Sequence, residues 1–213
     1  MSRKNLYIIG ARGFGRELVG TFRLWNGFLD KYVIKGFLDD KSNALDGYGE
    51  YPPIVSSVEM FQPHSNDVFV CALGIVSWRK KYIKLVLDKG GRFDSIVSPL
   101  ATVHKSAKVG AGCVILNNAI ISSDVTVGDN VLCHAGVLLG HDTKIGNHVV
   151  IESFAFTGGF ASIGDDATLH TRATILPHKK VGVGATVGAG STVISNVKAG
   201  KTVFGIPAID ISL

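Results

Sequence analysis

The chain has 213 residues, 46% of them apolar and 18% charged, the balance of a protein that buries a core rather than of a disordered chain. Its net charge of +5 comes from 22 basic and 17 acidic residues, and no basic run exceeds Arg79-Lys80-Lys81, so anionic small molecules are expected partners and nucleic acid is not. No stretch approaches the roughly 20 apolar residues of a membrane span, and the scattered Cys71, Cys113 and Cys133 form neither a disulfide framework nor a metal pair, which makes the reducing cytoplasm the expected location.

Leu6–Ile9 is too short for a secretory signal and reads as a strand. It runs into Gly10-Ala11-Arg12-Gly13-Phe14-Gly15, after which Phe14, Leu18, Phe22 and Trp25 recur at helical spacing. A second strand, Val33–Leu38, ends in Asp39-Asp40. A third, Val68–Leu73, ends in Gly74 and is followed by a basic amphipathic helix from Trp78 to Asp88. Strand–helix alternation over this length predicts a small Rossmann-like α/β unit with a parallel sheet. Ligands bind such sheets beyond the carboxyl ends of the strands, where Gly10–Gly15, Asp39-Asp40 and Gly74 all fall. The glycine loop is G-x-x-G-x-G, neither the dinucleotide fingerprint nor a P-loop. It suits phosphate at a helix N-terminus, with a tight turn without ligand as the alternative. Half a two-part dinucleotide sheet fits a mononucleotide or nucleotide-sugar better than NAD.

Helical patterning stops between Gly90 and Pro99, which sets the expected domains at residues 1–92 and 93–213. From Val97 to Val193 a mostly aliphatic residue returns every sixth position, about seventeen times without insertion; only Cys133 and Thr157 break the aliphatic rule. A small or β-branched residue follows most of them four positions later, and Gly often follows at once. Such a period fits neither helix nor simple strand. It predicts strand–corner units, three per 18-residue coil, with aliphatics stacked inside and glycines relieving strain at corners: a left-handed parallel β-helix of hexapeptide repeats.

Together, the Gly10–Gly15 loop, Phe37-Leu38-Asp39-Asp40, Ala72-Leu73-Gly74, Gly140-His141-Asp142, Gly158-Gly159 and Gly205-Ile206-Pro207-Ala208 resemble the bacterial sugar acetyltransferases of the sialic-acid O-acetyltransferase and nucleotide-sugar N-acetyltransferase kind. The resemblance spans nearly the whole chain. It implies a homotrimer, with acetyl-coenzyme A lying between adjacent β-helices. It also implies His141 as general base, Asp142 modulating it, and the backbone N–H of Gly159 as oxyanion donor. A His can take the proton that an amine or hydroxyl loses on attacking a thioester. By the same resemblance Gly10, Arg12, Gly13, Phe14, Gly15, Asp39, Asp40 and Gly74 hold the nucleotide part of the acceptor, and Thr171, Ala189 and Gly205 line the coenzyme channel. Three positions depart from the family pattern. Phe14 and Val150 replace histidines, and Ile209 replaces a basic residue, leaving Lys179, Lys180 or Lys198 for any 3′-phosphate.

One column belongs to this sequence: His134, Glu152 and His170, spaced by 18. It reads as a polar wall of the acceptor pocket with His134 touching substrate, as plain outward polarity, or as a zinc site, which the spacing of coils makes awkward. No resident metal is expected. His134, His141 and His148 differ by seven and so fall on different faces of a six-period coil, against a carbonic-anhydrase-like site. The expected reaction is acetyl transfer from acetyl-coenzyme A to the amino group of a nucleotide-linked amino sugar. The alternatives are O-acetylation of a sugar hydroxyl and a non-catalytic trimeric scaffold.

Overall fold

A computed structural model describes residues 3–212. Contacts divide the chain into Met1–Asp94 and Ser95–Leu213.

In the first unit, strands β1 (Lys4–Ile9), β2 (Tyr32–Leu38), β3 (Ile54–Ser56), β4 (Asp67–Cys71) and β5 (Arg92–Phe93) form one sheet in the order β3-β2-β1-β4-β5. Every pairing is parallel. Helix α1 (Gly13–Leu24) buries Leu18, Val19 and Phe22. After α2 (Phe28–Lys31), helix α3 (Val76–Asp88) packs Tyr82, Ile83 and Val86 into a core with Ile9, Leu38, Phe69 and Cys71. The unit matches the expected α/β architecture. Sequence reading passed over β3, β5 and α2, each too short to show a period.

In the second unit seventeen two-residue strands follow at six-residue intervals, from Ile96–Val97 to Thr192–Val193. Each ends on the residue that the period marks. Strands 18 residues apart pair in parallel, as Ile120–Ile121 does with Leu138–Leu139, giving the three flat faces of the expected left-handed β-helix. Face I carries the strands ending at Cys133, Ile151, Leu169 and Val187; face II those ending at Ile121, Leu139, Thr157 and Ile175; face III those ending at Val127, Ile145 and Ile163. The marked residues and those four positions later form one continuous buried core, each large aliphatic contributing about 1.5–3 kcal/mol. At the open first coil Val97 and Val103 stay exposed.

One expectation needs correction. Glycines placed directly after the marked residues do not relieve backbone strain. They permit close approach of successive coils: a Cβ at Gly128 would stand 2.8 Å from the Gly146 carbonyl oxygen, and one at Gly164 2.7 Å from the Val183 nitrogen. The left-handed residue lies two positions further on, and ten of these are not glycine, among them Asn118, Asp142, Phe154 and Phe160. Beyond Val193, where the six-residue period ends, the step between paired strands shortens. Val203 pairs with Val187 and Val197 with Val181, a step of sixteen rather than eighteen, before Thr202–Phe204 meets an antiparallel Ile209–Asp210.

Candidate active site

The catalytic candidates meet at the corner that follows face II. His141 leaves the strand ending at Leu139, and Asp142 takes the left-handed turn with φ 58°. This conformation suits Asp better than most side chains. It brings the Asp142 Oδ2 to 2.9 Å from the His141 Nδ1. With Nδ1 so engaged, Nε2 is the nitrogen left to accept a proton. The imidazole is 61% exposed. It lies across Gly159, one coil on: a Cβ there would stand 2.6 Å from both Cε1 and Nε2. The far side is bounded by Phe160, edge-on at 5.3 Å, which itself stacks on His178 at 5.0 Å and 2°.

The peptide between Gly158 and Gly159 has a fixed orientation. Its carbonyl accepts from the Ala161 N–H at 3.2 Å and from the buried Thr143 hydroxyl at 3.3 Å. That hydroxyl lies 3.3 Å from the Thr157 hydroxyl. Both threonines are fully buried. The only cis bond among the described residues is Ile206-Pro207, so this peptide is trans and its N–H points away from the core. Among the described residues that N–H has no backbone acceptor. Gly140, whose Cβ would sit 2.9 Å from the Gly159 nitrogen, leaves it uncovered. His141 and the Gly159 N–H are thus neighbours on successive coils, as their spacing of 18 implies. Thr143 beneath them was missed, though the break in the aliphatic rule at Thr157 was its signal.

Thr171, Ala189 and Gly205 also fall into register, each two residues beyond one of the paired face I residues Leu169, Val187 and Val203. They form a column at the corner between faces I and II. His134, Glu152 and His170 share this corner, whereas His141 stands at the corner between faces II and III. Within one chain, then, the structure does not bring His134 to His141, because the width of face II separates them. His148 occupies the third corner. Glu152 is committed locally: its carboxylate meets His170 Nδ1 at 3.1 Å and accepts from the Thr171 N–H and hydroxyl at 3.0 and 3.2 Å. Burial pushes its carboxyl up, but these hydrogen bonds outweigh burial and hold it below the usual Glu value. Among the described residues no three His, Cys, Asp or Glu are grouped to hold a metal ion.

In the first unit a cavity of about 600 Å³ opens at the carboxyl ends of β1, β2 and β4. Gly10, Arg12, Asp39, Asp40 and Gly74 line it. Gly10 needs its φ of +98°, and a Cβ would run into Leu73. Four of the expected residues have local structural settings of their own. Gly15 is buried, and a Cβ would collide with the Gly10 carbonyl, so it serves the close packing of α1 rather than a ligand. Gly13 has open space around it and, like the half-buried Phe14, does not line the cavity. Asp39 spends both oxygens on backbone, accepting from Ala11 at 2.8 Å and Lys41 at 2.9 Å, which makes it a brace of the glycine loop. Asp40 accepts from the Tyr82 hydroxyl. Burial opposes its ionisation, yet this bond and the Val58 N–H hold its carboxyl below the ordinary range. Trp78 and Tyr82 complete the wall. They were missed because aromatics four apart on a helix read as core.

Residues 5–86 match the family described as the PglD N-terminal domain. No curated protein matches the chain by sequence. Among solved structures, the acetyltransferase domain of PglB from Neisseria gonorrhoeae FA1090 superposes with a TM-score of 0.86 at 26% identity, covering 98% of this chain and 100% of that one. The same domain has been solved in complex with acetyl coenzyme A. PerB from Caulobacter crescentus, in complex with CoA and GDP-perosamine, gives 0.87 at 21% identity with 99% of each chain covered. WeeI from Acinetobacter baumannii AYE gives 0.68 at 21%, covering 97% and 99%. No helix among the described residues is long and apolar enough to cross a membrane.

Proposed function

We propose that this chain, which belongs with the sugar acetyltransferases of the hexapeptide β-helix family, transfers the acetyl group of acetyl-coenzyme A to the amino group of a nucleotide-linked amino sugar. The observation that carries the reading is the His141–Asp142 pair laid over Gly159, with an outward N–H on the same coil. The neutral amine attacks the thioester carbonyl while His141 Nε2 takes its proton, and Asp142 stabilises the imidazolium. The tetrahedral oxyanion accepts from the Gly159 N–H. Collapse breaks the C–S bond, and the coenzyme leaves as a thiolate that recovers a proton, so transfer is direct. The α/β unit, with its cavity beyond the strand ends, holds the nucleotide; PerB was solved with a GDP-sugar.

Assembly follows from the two corners. The proposed coenzyme column and the base lie on opposite edges of face II, and that face exposes Ile120 and Phe156. A second copy packed there supplies one chain's column to the other's base; a head-to-tail contact of this kind closes into a ring, and the family resemblance sets that ring at three chains. The deciding experiment incubates the protein and acetyl-coenzyme A with a panel of nucleotide-amino sugars and free sialic acids, and follows product mass. A gain of one acetyl group on the amine of a nucleotide-sugar is expected. Modification of sialic acids alone, or of none of the panel, overturns the reading.

A further inference from the structure

The cavity in the α/β unit has one wall that neither the glycine loop nor the acidic pair accounts for. Trp78 stands on the first turn of α3 and is 49% exposed, whereas Trp25 is 5% exposed among Phe22 and Phe28. A Trp normally buries its large surface in a core, so a half-open indole lining a cavity is informative. Trp78 is also held still. Tyr82 stacks behind it at 6.0 Å and 19°, and the Tyr82 hydroxyl is tied to Asp40. The Lys81 ammonium stands 5.1 Å from the Trp78 ring centre and 4.8 Å from that of Tyr82. The result is a flat, preorganised aromatic surface at the cavity edge opposite in character to the glycine side. Gly10, Arg12 and Gly74 offer backbone and a cation, suited to phosphates. Ile75, Trp78 and Val58 offer an apolar wall.

We infer that Trp78 is the nucleobase platform: the base of a nucleoside diphosphate stacks on its indole while the diphosphate lies toward Gly10 and Arg12. This rests on the nucleotide part of the proposed function and adds the residue that reads the base. Stacking accepts any base with a π-face, so the platform fixes where the base lies rather than which base it is.

The test uses the full-length protein with uridine diphosphate and guanosine diphosphate as probes, read by tryptophan fluorescence and calorimetry. Both probes are expected to quench the exposed Trp78 in the wild type, and inorganic pyrophosphate is expected not to. Trp78→Leu should abolish the quenching and weaken calorimetric affinity by about 5- to 150-fold, the range for loss of one base–aromatic stack. Trp78→Phe, which keeps a ring but not the indole emission, should retain most of the calorimetric affinity. Unchanged affinity in Trp78→Leu with normal binding by the wild type overturns the platform and leaves the acetyltransferase reading standing. Failure of the wild type to bind either probe removes the nucleotide part of that reading, and the platform with it.

Discussion

The two units build their sites by opposite means. In the β-helix, position is set by counting: residues 18 apart stack, so His141 meets Gly159 by register alone, and Thr143 reaches across the coil to the Gly158 carbonyl, 15 residues on. In the α/β unit, position is set by ends. Strands β1, β2 and β4 stop at one edge, and the groups that line the cavity are whatever each loop carries there. A periodic scaffold is rigid and unforgiving, since a side chain added to one coil strikes the next. A loop-built site is braced contact by contact instead, as Asp39 braces the Ala11 N–H. The sharpest tests of this contrast lie in the β-helix.

The largest expected effect is from His141→Ala. Loss of a positioned general base should lower turnover by about 10²–10⁴ with coenzyme A affinity nearly unchanged, measured on the acceptor found in the panel. Retention of more than about a third of turnover would falsify the role assigned to His141. Gly159→Ala should follow, with a loss of about 10², the usual result of displacing a reacting group by about 1 Å. The new Cβ must push the imidazole aside. Because Gly159 does not have a left-handed backbone, the fold tolerates Ala there, and an unchanged melting temperature beside the lost turnover separates steric displacement from unfolding. Full activity in this variant would mean that the ring works elsewhere than over Gly159.

Much of this was legible from residues alone, and the gaps have physical causes. The six-residue period located every strand end from Val97 to Val193, because a residue that must face inward cannot be polar and large. The corners were misread, because the left-handed turn takes Asn and Asp readily and in this chain also Phe154, Phe160 and Arg172, held there by coils above and below. Composition cannot show that. His141, Asp142 and Gly159 were found through resemblance and spacing. The division of labour between corners was not, since a period says which residues share a column and not what column a substrate joins. In the α/β unit, Asp39 was expected to hold ligand through the family resemblance and its place beyond the carboxyl end of β2; its two backbone bonds are invisible in sequence.

A middle-sized effect concerns Thr143 and Thr157, where the aliphatic rule fails beneath the reacting corner. Two buried hydroxyls contribute little to stability compared with isosteric apolar groups. The double replacement Thr143→Val/Thr157→Val should therefore leave the melting temperature equal or higher. It should nevertheless lower turnover about tenfold, a fraction of the 10²–10³ that loss of a whole oxyanion donor costs, because the Gly158–Gly159 peptide is then held only through Ala161. Equal turnover with a raised melting temperature would show the hydroxyl pair to be without function.

The smallest effect separates the two edges of face II. Glu152 sits at the proposed coenzyme corner, and its carboxyl is lowered on folding because the bonds from Thr171 and His170 outweigh the cost of burial. A group with a depressed folded pKa stabilises above its unfolded value, about 4.3 for Glu, and that contribution disappears as pH falls through the folded value. The pair is partly solvated, so the effect is modest. Glu152→Gln should lower the melting temperature by at most about 2–4 °C at pH 7, and the gap to the wild type should narrow as pH drops below about 4.5. Melting curves from pH 7 down to about pH 3 read this directly. A gap that stays constant across that range would mean that the Glu152 charge contributes nothing and that its oxygens serve only as neutral acceptors for Thr171. Turnover should respond to this substitution far less than to His141→Ala, since Glu152 braces Thr171 of the proposed coenzyme column and takes no proton from the acceptor.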